Sequence, residues 1–405
     1  MRFNRRQLLK SVGMVVATGD IAGAGQVRPS AVEKREEQRS LDLSEFQPKS
    51  MLHVTETRVE RSRFPVIDIH THLSKIVGNQ GGVSVGEGMA YNALPSELLT
   101  VMDRRNVHIL VNLTGGWGAG LQETIAKYQQ INPGRFLVFT TPAWEHSNKP
   151  DYPQFQARQI ERAKDAGAYG LKIEKILGLY LRENIGAGPL VKVDDPRFDP
   201  MWDTCGTLHM PVAIHVSDPE AFFLPIDRFN ERFEELNNHP DWSFHGRDFP
   251  SNAELLAARN RVFERHPQTI FIVLHVGNNA ENLAYVAECL DRFPNMYVDI
   301  AARIGELGRQ PRTARKFFDK HQDRILFGTD AVPHRKTTPQ QIFGDELYEI
   351  YYRFLETDDE YFDYAPSPTP PQGRWCIYGL DLPEIILKKV YYENAARILG
   401  FEIKA

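Results

Sequence analysis

The sequence predicts an α/β protein whose body is a (β/α)8 barrel, the TIM barrel, with enlarged loops after several strands. Eight short runs of Val, Ile, Leu, Phe or Tyr alternate with eight longer amphipathic stretches, which indicates a parallel sheet covered by helices. Polar residues follow many of these runs, at the end where a barrel keeps its active site. An open doubly wound sheet is disfavoured, because no G-x-G-x-x-G follows the first run.

The eight units follow one another along the chain from the first run to the last helix. The apolar runs have the length of buried strands and cover residues 65–70, 107–113, 136–141, 169–174, 212–217, 270–276, 296–301 and 325–330. The helical patterns cover residues 95–105, 120–131, 152–166, 198–208, 252–266, 280–293, 313–323 and 382–399.

The first 60 residues precede this pattern. The run N-R-R-Q-L-L-K at residues 4–10 resembles a twin-arginine export signal, and an A-x-A-like cleavage site stands at residues 22–24. Asp20 interrupts the apolar region, so an amphipathic tail with a chance Arg pair is the alternative. We expect a signal peptide over 1–25, a linker or N-terminal arm over 26–60, and a barrel over 61–405. The signal predicts a periplasmic protein.

Composition narrows the function classes. The net charge of −5 comes from 48 basic and 53 acidic residues without a basic block in the body, which disfavours nucleic-acid binding. The three cysteines are far apart and form no C-x-x-C pair, which disfavours a disulfide scaffold or a cysteine zinc site. No apolar run reaches the ~18 residues of a membrane span. A small-molecule substrate is therefore the expected partner, with a homodimer left open.

Histidine and aspartate residues stand at the ends of several predicted strands. His70 and His72 end the first strand and point to the same side, because side chains alternate along a strand. His215, His275 and Asp330 end the fifth, sixth and eighth strands. Neutral imidazoles with a carboxylate suit a divalent metal ion. A structural histidine pair is the alternative for the first strand, a packed core histidine for His275.

Taken together, these motifs resemble the amidohydrolase superfamily, in its amidohydrolase-related branch of aminocarboxymuconate semialdehyde decarboxylases, other aromatic decarboxylases, lactonases and hydrolases. The resemblance rests on I-D-I-H-T-H at residues 67–72, the histidines of strands five and six, F-G-T-D at residues 327–330, and N-A-A-R-I-L at residues 394–399. It implies that His70, His72, His215 and Asp330 bind one divalent metal, with zinc favoured and manganese as the alternative. It also implies that His275 and Asp330 are catalytic, His275 as a donor to a developing oxyanion and Asp330 as general base.

Two basic residues have open roles. The fourth predicted strand carries Lys172, and in binuclear members of the superfamily a carbamylated lysine at this strand bridges two metals. We favour a single metal without this bridge. In that case Lys172 either pairs with Glu174 or binds a substrate carboxylate as a plain cation. Arg303, after the seventh strand, could hold a carboxylate through two hydrogen bonds or form a surface salt bridge.

Long loops follow two strands. Residues 218–250 are rich in aromatics and are expected to form a lid, a dimer contact or a small satellite core. Residues 331–379 are acidic, aromatic and Pro-rich, and are expected to cover the barrel.

Three functions follow from these features. The leading hypothesis is a metal-dependent hydrolase that cleaves an amide, ester or lactone bond of a small polar substrate. The alternative is a non-oxidative decarboxylase on the same metal site. It is weakened by residues 277–282, G-N-N-A-E-N, which lack the extra glycines common in the decarboxylases. The third is a catalytically silent ligand-binding barrel, which the presence of every expected ligand type disfavours.

Overall fold

The computed structural model describes residues 40–401 except Arg247 and Pro368. The export signal expected over residues 1–25 lies outside the described residues. The described residues form ten strands, which are β1 Val66–Thr71, β2 Ser74–Gln80, β3 Val83–Tyr91, β4 Val107–Asn112, β5 Phe136–Thr140, β6 Gly170–Ile173, β7 Val212–Ile214, β8 Phe271–Val273, β9 Met296–Asp299 and β10 Ile325–Leu326.

Eight of these strands form one parallel sheet in the order β1-β4-β5-β6-β7-β8-β9-β10. The two outer strands of that order meet through backbone hydrogen bonds. The amide of Ile69 donates to the Phe327 carbonyl at 3.1 Å, the Asp330 amide donates to the His70 carbonyl at 2.9 Å, and the His72 amide donates to the Ala331 carbonyl at 2.9 Å. The sheet is therefore a nearly closed barrel, and the predicted TIM-barrel fold is confirmed.

The eight predicted helical stretches are all present. The α-helices cover Pro95–Arg105, Gly118–Thr124, Tyr152–Ala166, Asp199–Thr207, Phe233–Asn238, Asn252–Arg265, Leu283–Arg292, Ile304–Leu307, Pro311–His321, Asp345–Glu356, Glu384–Lys388 and Asn394–Leu399. Two π-helical segments, Ile125–Gln130 and Lys389–Glu393, lie inside the second and the last predicted helix. Short 3-10 turns cover Leu43–Glu45, Trp144–His146, Pro196–Phe198, Glu220–Phe223, Pro240–Trp242 and Pro339–Gln341.

Helix ends follow local sequence signals. Asn252–Arg265 begins with a capping box, in which the Ser251 hydroxyl accepts the Glu254 amide at 3.3 Å and the Glu254 carboxylate accepts the Ser251 amide at 2.8 Å. Tyr152–Ala166 ends at Gly167 with φ 102°, a left-handed conformation that glycine adopts without steric cost. The local sequence thus sets where helix Asn252–Arg265 begins.

Two apolar layers hold the barrel together. Every second residue of the strands, such as Leu137, Ile272 and Leu326, points into the barrel interior, and this inner layer packs with Ile398 and Leu399 of the last helix. The alternate strand residues point outwards and pack against the surrounding helices. Burial on both faces explains the near-continuous apolar runs from which the strands were predicted.

Several elements of the fold were not predicted, among them the short helices Phe233–Asn238 and Ile304–Leu307. Residues 74–91 form the antiparallel hairpin β2–β3, which turns at Gly81 and Gly82 with φ of 62° and 89°; the Gly-Gly pair is a hairpin signal. The amphipathic helix Asp345–Glu356 lies inside the predicted loop 331–379 and packs Tyr348, Tyr351 and Tyr352 near Phe327. Residues 331–379 therefore cover the outer core in part with a regular helix.

The later strands end earlier in the structure than the sequence predicted. β8 ends at Val273 and β10 at Leu326, so His275 and Asp330 lie beyond the regular sheet. Residues 40–49 form a separate unit whose described side chains are exposed. Within the described part of the chain, the helices are too short or too polar to cross a bilayer.

Candidate metal centre and active site

A cavity of ≈ 900 Å³ opens at the C-terminal ends of the barrel strands. Six of the seven site residues predicted from the sequence line it, and these are His72, Lys172, His215, His275, Arg303 and Asp330. His70, the seventh, is fully buried and contacts His72 and Asp330. The fold therefore brings all seven residues to one end of the barrel.

His70, His72 and Asp330 present three ligand atoms to one another. The two Nε2 atoms of the histidines are 3.3 Å apart, and Asp330 Oδ1 is 3.2 Å from His70 Nε2 and 2.9 Å from His72 Nε2. For a tetrahedral ion with bonds of about 2.0–2.1 Å, ligand atoms lie roughly 3.3 Å from one another. The spacing of the three atoms is close to that of three corners of such a site.

His70 is oriented by an aspartate on a neighbouring strand. Asp299, at the end of β9, places Oδ2 at 2.7 Å from His70 Nδ1. An ionised carboxylate only accepts hydrogen bonds, so His70 Nδ1 donates its proton to Asp299 and Nε2 is the ring atom that faces His72 and Asp330. Burial opposes a charged ring, but Asp330 and Asp299 outweigh burial and raise the pKa of His70. A carboxylate behind a ligating imidazole is the usual partner that fixes its tautomer. Asp299 was not predicted as a site residue.

His275 lies in an uncommon backbone turn. His275, Val276, Gly277 and Asn278 follow β8 with φ of 56°, 54°, 70° and 56°, all left-handed. Such a conformation costs roughly 1–2 kcal/mol for each residue that is not glycine. The second oxygen of Asp299 accepts the His275 amide at 2.6 Å, and the Ala301 carbonyl accepts His275 Nδ1 at 2.8 Å. These bonds hold the turn and the ring together.

The Ala301 contact also fixes the tautomer of His275. A carbonyl only accepts, so Nδ1 carries the proton and the neutral ring presents a lone pair at Nε2. Burial, with the charges of His215 and Arg303, holds the pKa of His275 well below its ordinary value. Nε2 is thus the ring atom left to face the cavity. The role expected from the sequence, a donor to a developing oxyanion, stays a prediction.

His215 follows β7 and is placed beside His275, with ring centroids 4.4 Å apart. Its Nε2 is buried and has no hydrogen-bond partner among the described residues, although Asp218 Oδ1 lies at 3.4 Å. Burial lowers the pKa of His215 to about 4 against the attraction of Asp218. Asp218 is itself paired with Lys175 at 2.5 Å. His215 thus has a buried ring nitrogen without a hydrogen bond in the described chain, but it is not part of the tight group of His70, His72 and Asp330.

Asp330 is ionised in this setting. Burial opposes its charge, but His70, His72 and His275 outweigh burial and hold the pKa of Asp330 well below its ordinary value. The same burial lowers the pKa of His72 to about 4, against the attraction of Asp330. Asp330 Oδ2 accepts the side-chain amide of Gln341, another residue that the sequence did not single out. The site therefore pairs an anionic oxygen with neutral His72.

Lys172 and Arg303 are two of the cationic residues that line the cavity. Burial lowers the pKa of Lys172 to about 8, opposed by the negative charges of Asp330, Glu174 and Asp299. Arg303 is buried and donates from Nη1 to the Ala302 carbonyl at 2.7 Å, so the surface salt bridge considered from the sequence is not formed. Both residues can meet an anionic group in the cavity.

The loop at residues 218–250 forms part of the cavity wall. Phe222 and Trp242 line the cavity together with Arg232 and Glu235, which pair at 2.7 Å. Phe222 and Phe244 also belong to the buried core, whereas Phe229 is 79% exposed. The loop therefore forms part of the cavity wall, and its buried aromatics belong to the main apolar core and not to a separate satellite core. Its roles as a lid or a dimer contact stay predictions.

Asp68 is another buried residue that the sequence did not single out. It accepts the Thr329 hydroxyl at 2.6 Å and the Tyr348 hydroxyl at 2.9 Å. These bonds join β1 to the segment that carries Asp330 and to helix Asp345–Glu356. The position of Asp68 between His70 and the apolar start of β1 was the signal available in the sequence.

Solved structures of low sequence identity resemble the chain. A dihydroxybenzoic acid decarboxylase from Polaromonas, with bound manganese and an inhibitor, is 17% identical over 76% of this chain and 86% of its own, with a TM-score of 0.48. A probable 2-pyrone-4,6-dicarboxylic acid hydrolase from Acinetobacter baumannii is 11% identical over 84% and 100%, with a TM-score of 0.48. An amidohydrolase from Burkholderia multivorans with bound zinc is 14% identical over 84% and 100%, with a TM-score of 0.46.

A family model described as amidohydrolase matches residues 67–401. The match begins in β1, which carries His70 and is followed directly by His72, and it ends just after the last helix, so it spans the barrel and every residue of the site. The chain belongs to the amidohydrolase family.

Proposed function

We propose that the protein is a metal-dependent hydrolase that cleaves an amide, ester or lactone bond of a small polar substrate. The observation that carries this proposal is the convergence of His70 Nε2, His72 Nε2 and Asp330 Oδ1, at 2.9 to 3.3 Å from one another, beside a large cavity. These three atoms, with His215 as a fourth ligand, leave a position open to water or substrate when the ion is five-coordinate, as catalytic metal sites can be.

The residues fit a divalent cation. Two imidazole nitrogens directed at one carboxylate oxygen are the donors that zinc and manganese accept. His215 adds a buried Nε2 without a hydrogen-bond partner in the described chain, which is costly unless a ligand occupies it. We propose that His70, His72, His215 and Asp330 hold one ion, with zinc favoured over manganese.

The side chains around this site have separate roles in the proposed reaction. A bound divalent ion supplies a Lewis acid that lowers the pKa of water and polarises a carbonyl oxygen. Asp330, held ionised, accepts a proton from the attacking water and returns it to the leaving group. His275 offers a second proton acceptor at Nε2, since its Nδ1 proton is committed to Ala301. The loop with Phe222 and Trp242 limits access of bulk water.

A second candidate is non-oxidative decarboxylation. It is favoured by Lys172 and Arg303, two buried cations that line the same cavity and can bind a substrate carboxylate. In that reaction the carboxylate is lost as CO₂, and the carbon that carried it takes a proton from a group of the site.

One screen separates the two reactions. The zinc- and manganese-loaded protein is offered esters, lactones, amides and aromatic carboxylic acids, while acid release and CO₂ release are followed together. Hydrolysis that disappears in Asp330→Asn supports the proposal. CO₂ release without hydrolysis selects the second candidate, and activity that Asp330→Asn retains contradicts the assigned role of Asp330.

We further propose that residues 1–25 direct export to the periplasm by the twin-arginine route. The supporting observation is the pair Arg5-Arg6 ahead of a short apolar run. Replacing both arginines with lysine should retain the protein in the cytoplasm, as judged by fractionation; unchanged export would refute the proposal.

A further inference from the structure

Arg259 is a buried arginine outside the cavity wall. It lies in helix Asn252–Arg265, which connects β7 to β8, and its side chain is fully buried. Its guanidinium lies near the Phe263 ring, with 5.5 Å from Cζ to the ring centroid. No ion pair of Arg259 with a carboxylate is found among the described residues. A charge buried without an opposite charge is costly, so its hydrogen bonds must account for its presence.

Those hydrogen bonds lead to the turn that carries His275. Arg259 Nη1 donates to the Gly277 carbonyl at 2.5 Å. Nε and Nη2 donate to Asn260 Oδ1 at 3.1 and 2.8 Å, and Asn260 in turn donates to the Tyr285 hydroxyl at 2.9 Å. One end of the guanidinium is thus anchored on the helices, while the other end is joined to the left-handed turn.

The left-handed turn at His275–Asn278 needs hydrogen bonds on both of its sides to stay formed. Val276 is β-branched and His275 is not glycine, and neither favours the left-handed region that both occupy. On the cavity side, Asp299 and Ala301 hold His275. Beside it, the Asn278 side chain donates to the Leu274 carbonyl at 3.1 Å. On the helix side, the Gly277 carbonyl is held by a charged donor, which forms stronger hydrogen bonds than a neutral one.

We propose that Arg259 is a positioning residue for His275: its hydrogen bond to the Gly277 carbonyl keeps the left-handed turn formed and aims His275 Nε2 into the cavity. Without this bond, the turn relaxes towards ordinary backbone angles and the imidazole leaves its place beside His215. The catalytic consequence rests on the proposed function, whereas the position of the ring can be measured without any substrate.

The test is ¹⁵N-histidine NMR on the full-length, zinc-loaded protein, with the His275 signals assigned by His275→Gln. In Arg259→Met we expect the hydrogen-bonded Nδ1 proton of His275 to be lost or strongly shifted. Arg324→Met is the matched control, because Arg324 also donates to backbone carbonyls, those of Phe293 and Met296 at 3.0 and 3.2 Å, and it precedes β10 at the opposite end of the barrel. This control should leave the His275 signals unchanged.

Arg259→Lys covers the case in which the methionine variant does not fold, since lysine keeps the charge and one donor. We expect a smaller shift of the His275 signals than in Arg259→Met, with unchanged zinc content. Unchanged His275 signals in whichever of the two variants folds would overturn the proposal. Loss of zinc together with the signal would also overturn it, because Arg259 would then support the ligands and not His275. Neither result depends on whether the screen above finds hydrolysis.

Discussion

Asp299 Oδ2 lies 2.7 Å from His70 Nδ1, and Asp299 Oδ1 accepts the backbone amide of His275 at 2.6 Å. One carboxylate thus joins β1, where two candidate metal ligands lie, to the turn after β8 that carries His275. Both oxygens are committed and the side chain is fully buried. This relationship makes Asp299 a common support of the two halves of the site.

Asp299→Asn should weaken metal binding. An amide nitrogen placed at His70 Nδ1 would donate to it, so Nε2 would become protonated and unable to bind a metal. Loss of such a supporting carboxylate typically costs about 10–100-fold in metal affinity. Zinc affinity, measured by competition with a chelator, should fall by that factor.

Asp203→Asn is the matched control for this experiment. Asp203 Oδ1 lies at the same 2.7 Å from a histidine Nδ1, that of His266, which precedes β8 at the end of the barrel away from the cavity. The control should bind zinc like the wild type. Equal affinities in all three proteins would refute the role given to Asp299.

The double variant His70→Ala with His72→Ala should lose its metal and keep its fold. It removes both imidazoles of the tight group, while the apolar layers of the barrel are untouched. Metal content should fall from about one equivalent per chain to background, with the circular dichroism spectrum retained. His321→Ala is the control, because His321 is also buried, with an Nε2 that has no hydrogen-bond partner in the described part of the chain, but it does not line the cavity. Full metal content in the double variant would remove the basis of the site.

The sequence was informative wherever one periodicity governed a segment. The eight strands were visible because burial on both faces leaves apolar runs, and the pairing of His70 with His72 followed from alternation along β1. Asp299 was missed because its role depends on a left-handed turn 24 residues earlier in the chain. Helix Asp345–Glu356 was missed inside a long Pro-rich loop, although its own tyrosines lie on a buried face. Local patterns predict elements, whereas these contacts depend on how distant turns meet.

Lys172→Ala should leave the metal count unchanged. Under the one-metal proposal the ion is held by three histidines and Asp330, and Lys172 lies in the cavity as a cation without a bridging role. Metal analysis should therefore give the same content in variant and wild type. A wild type with two equivalents that falls to one in the variant, together with a ¹³C carbamate signal after labelling with bicarbonate, would establish the binuclear alternative.

Asp359→Asn should destabilise the protein in a pH-dependent way. Asp359 is buried and holds the segment around Thr57, since it accepts the amide and hydroxyl of Thr57 at 2.6 and 2.8 Å and Arg353 Nε at 2.7 Å. Burial opposes its charge, but these donors outweigh burial and hold the pKa of Asp359 below its ordinary value of 3.8. Because the folded-state pKa is depressed, the stabilisation is complete well above pH 3.8 and is lost as the pH falls through the folded-state pKa.

The expected loss at pH 7 is about 1–3 kcal/mol, the usual cost of leaving buried partners unsatisfied. Urea unfolding at pH 7 should show this gap between wild type and variant, and the gap should shrink in acid, where the wild-type carboxylate becomes protonated. Asp358→Asn is the adjacent control, because Asp358 is exposed and its charge should contribute little. A gap that is absent at pH 7, or that widens in acid, would show that Asp359 does not hold the segment around Thr57 through its charge.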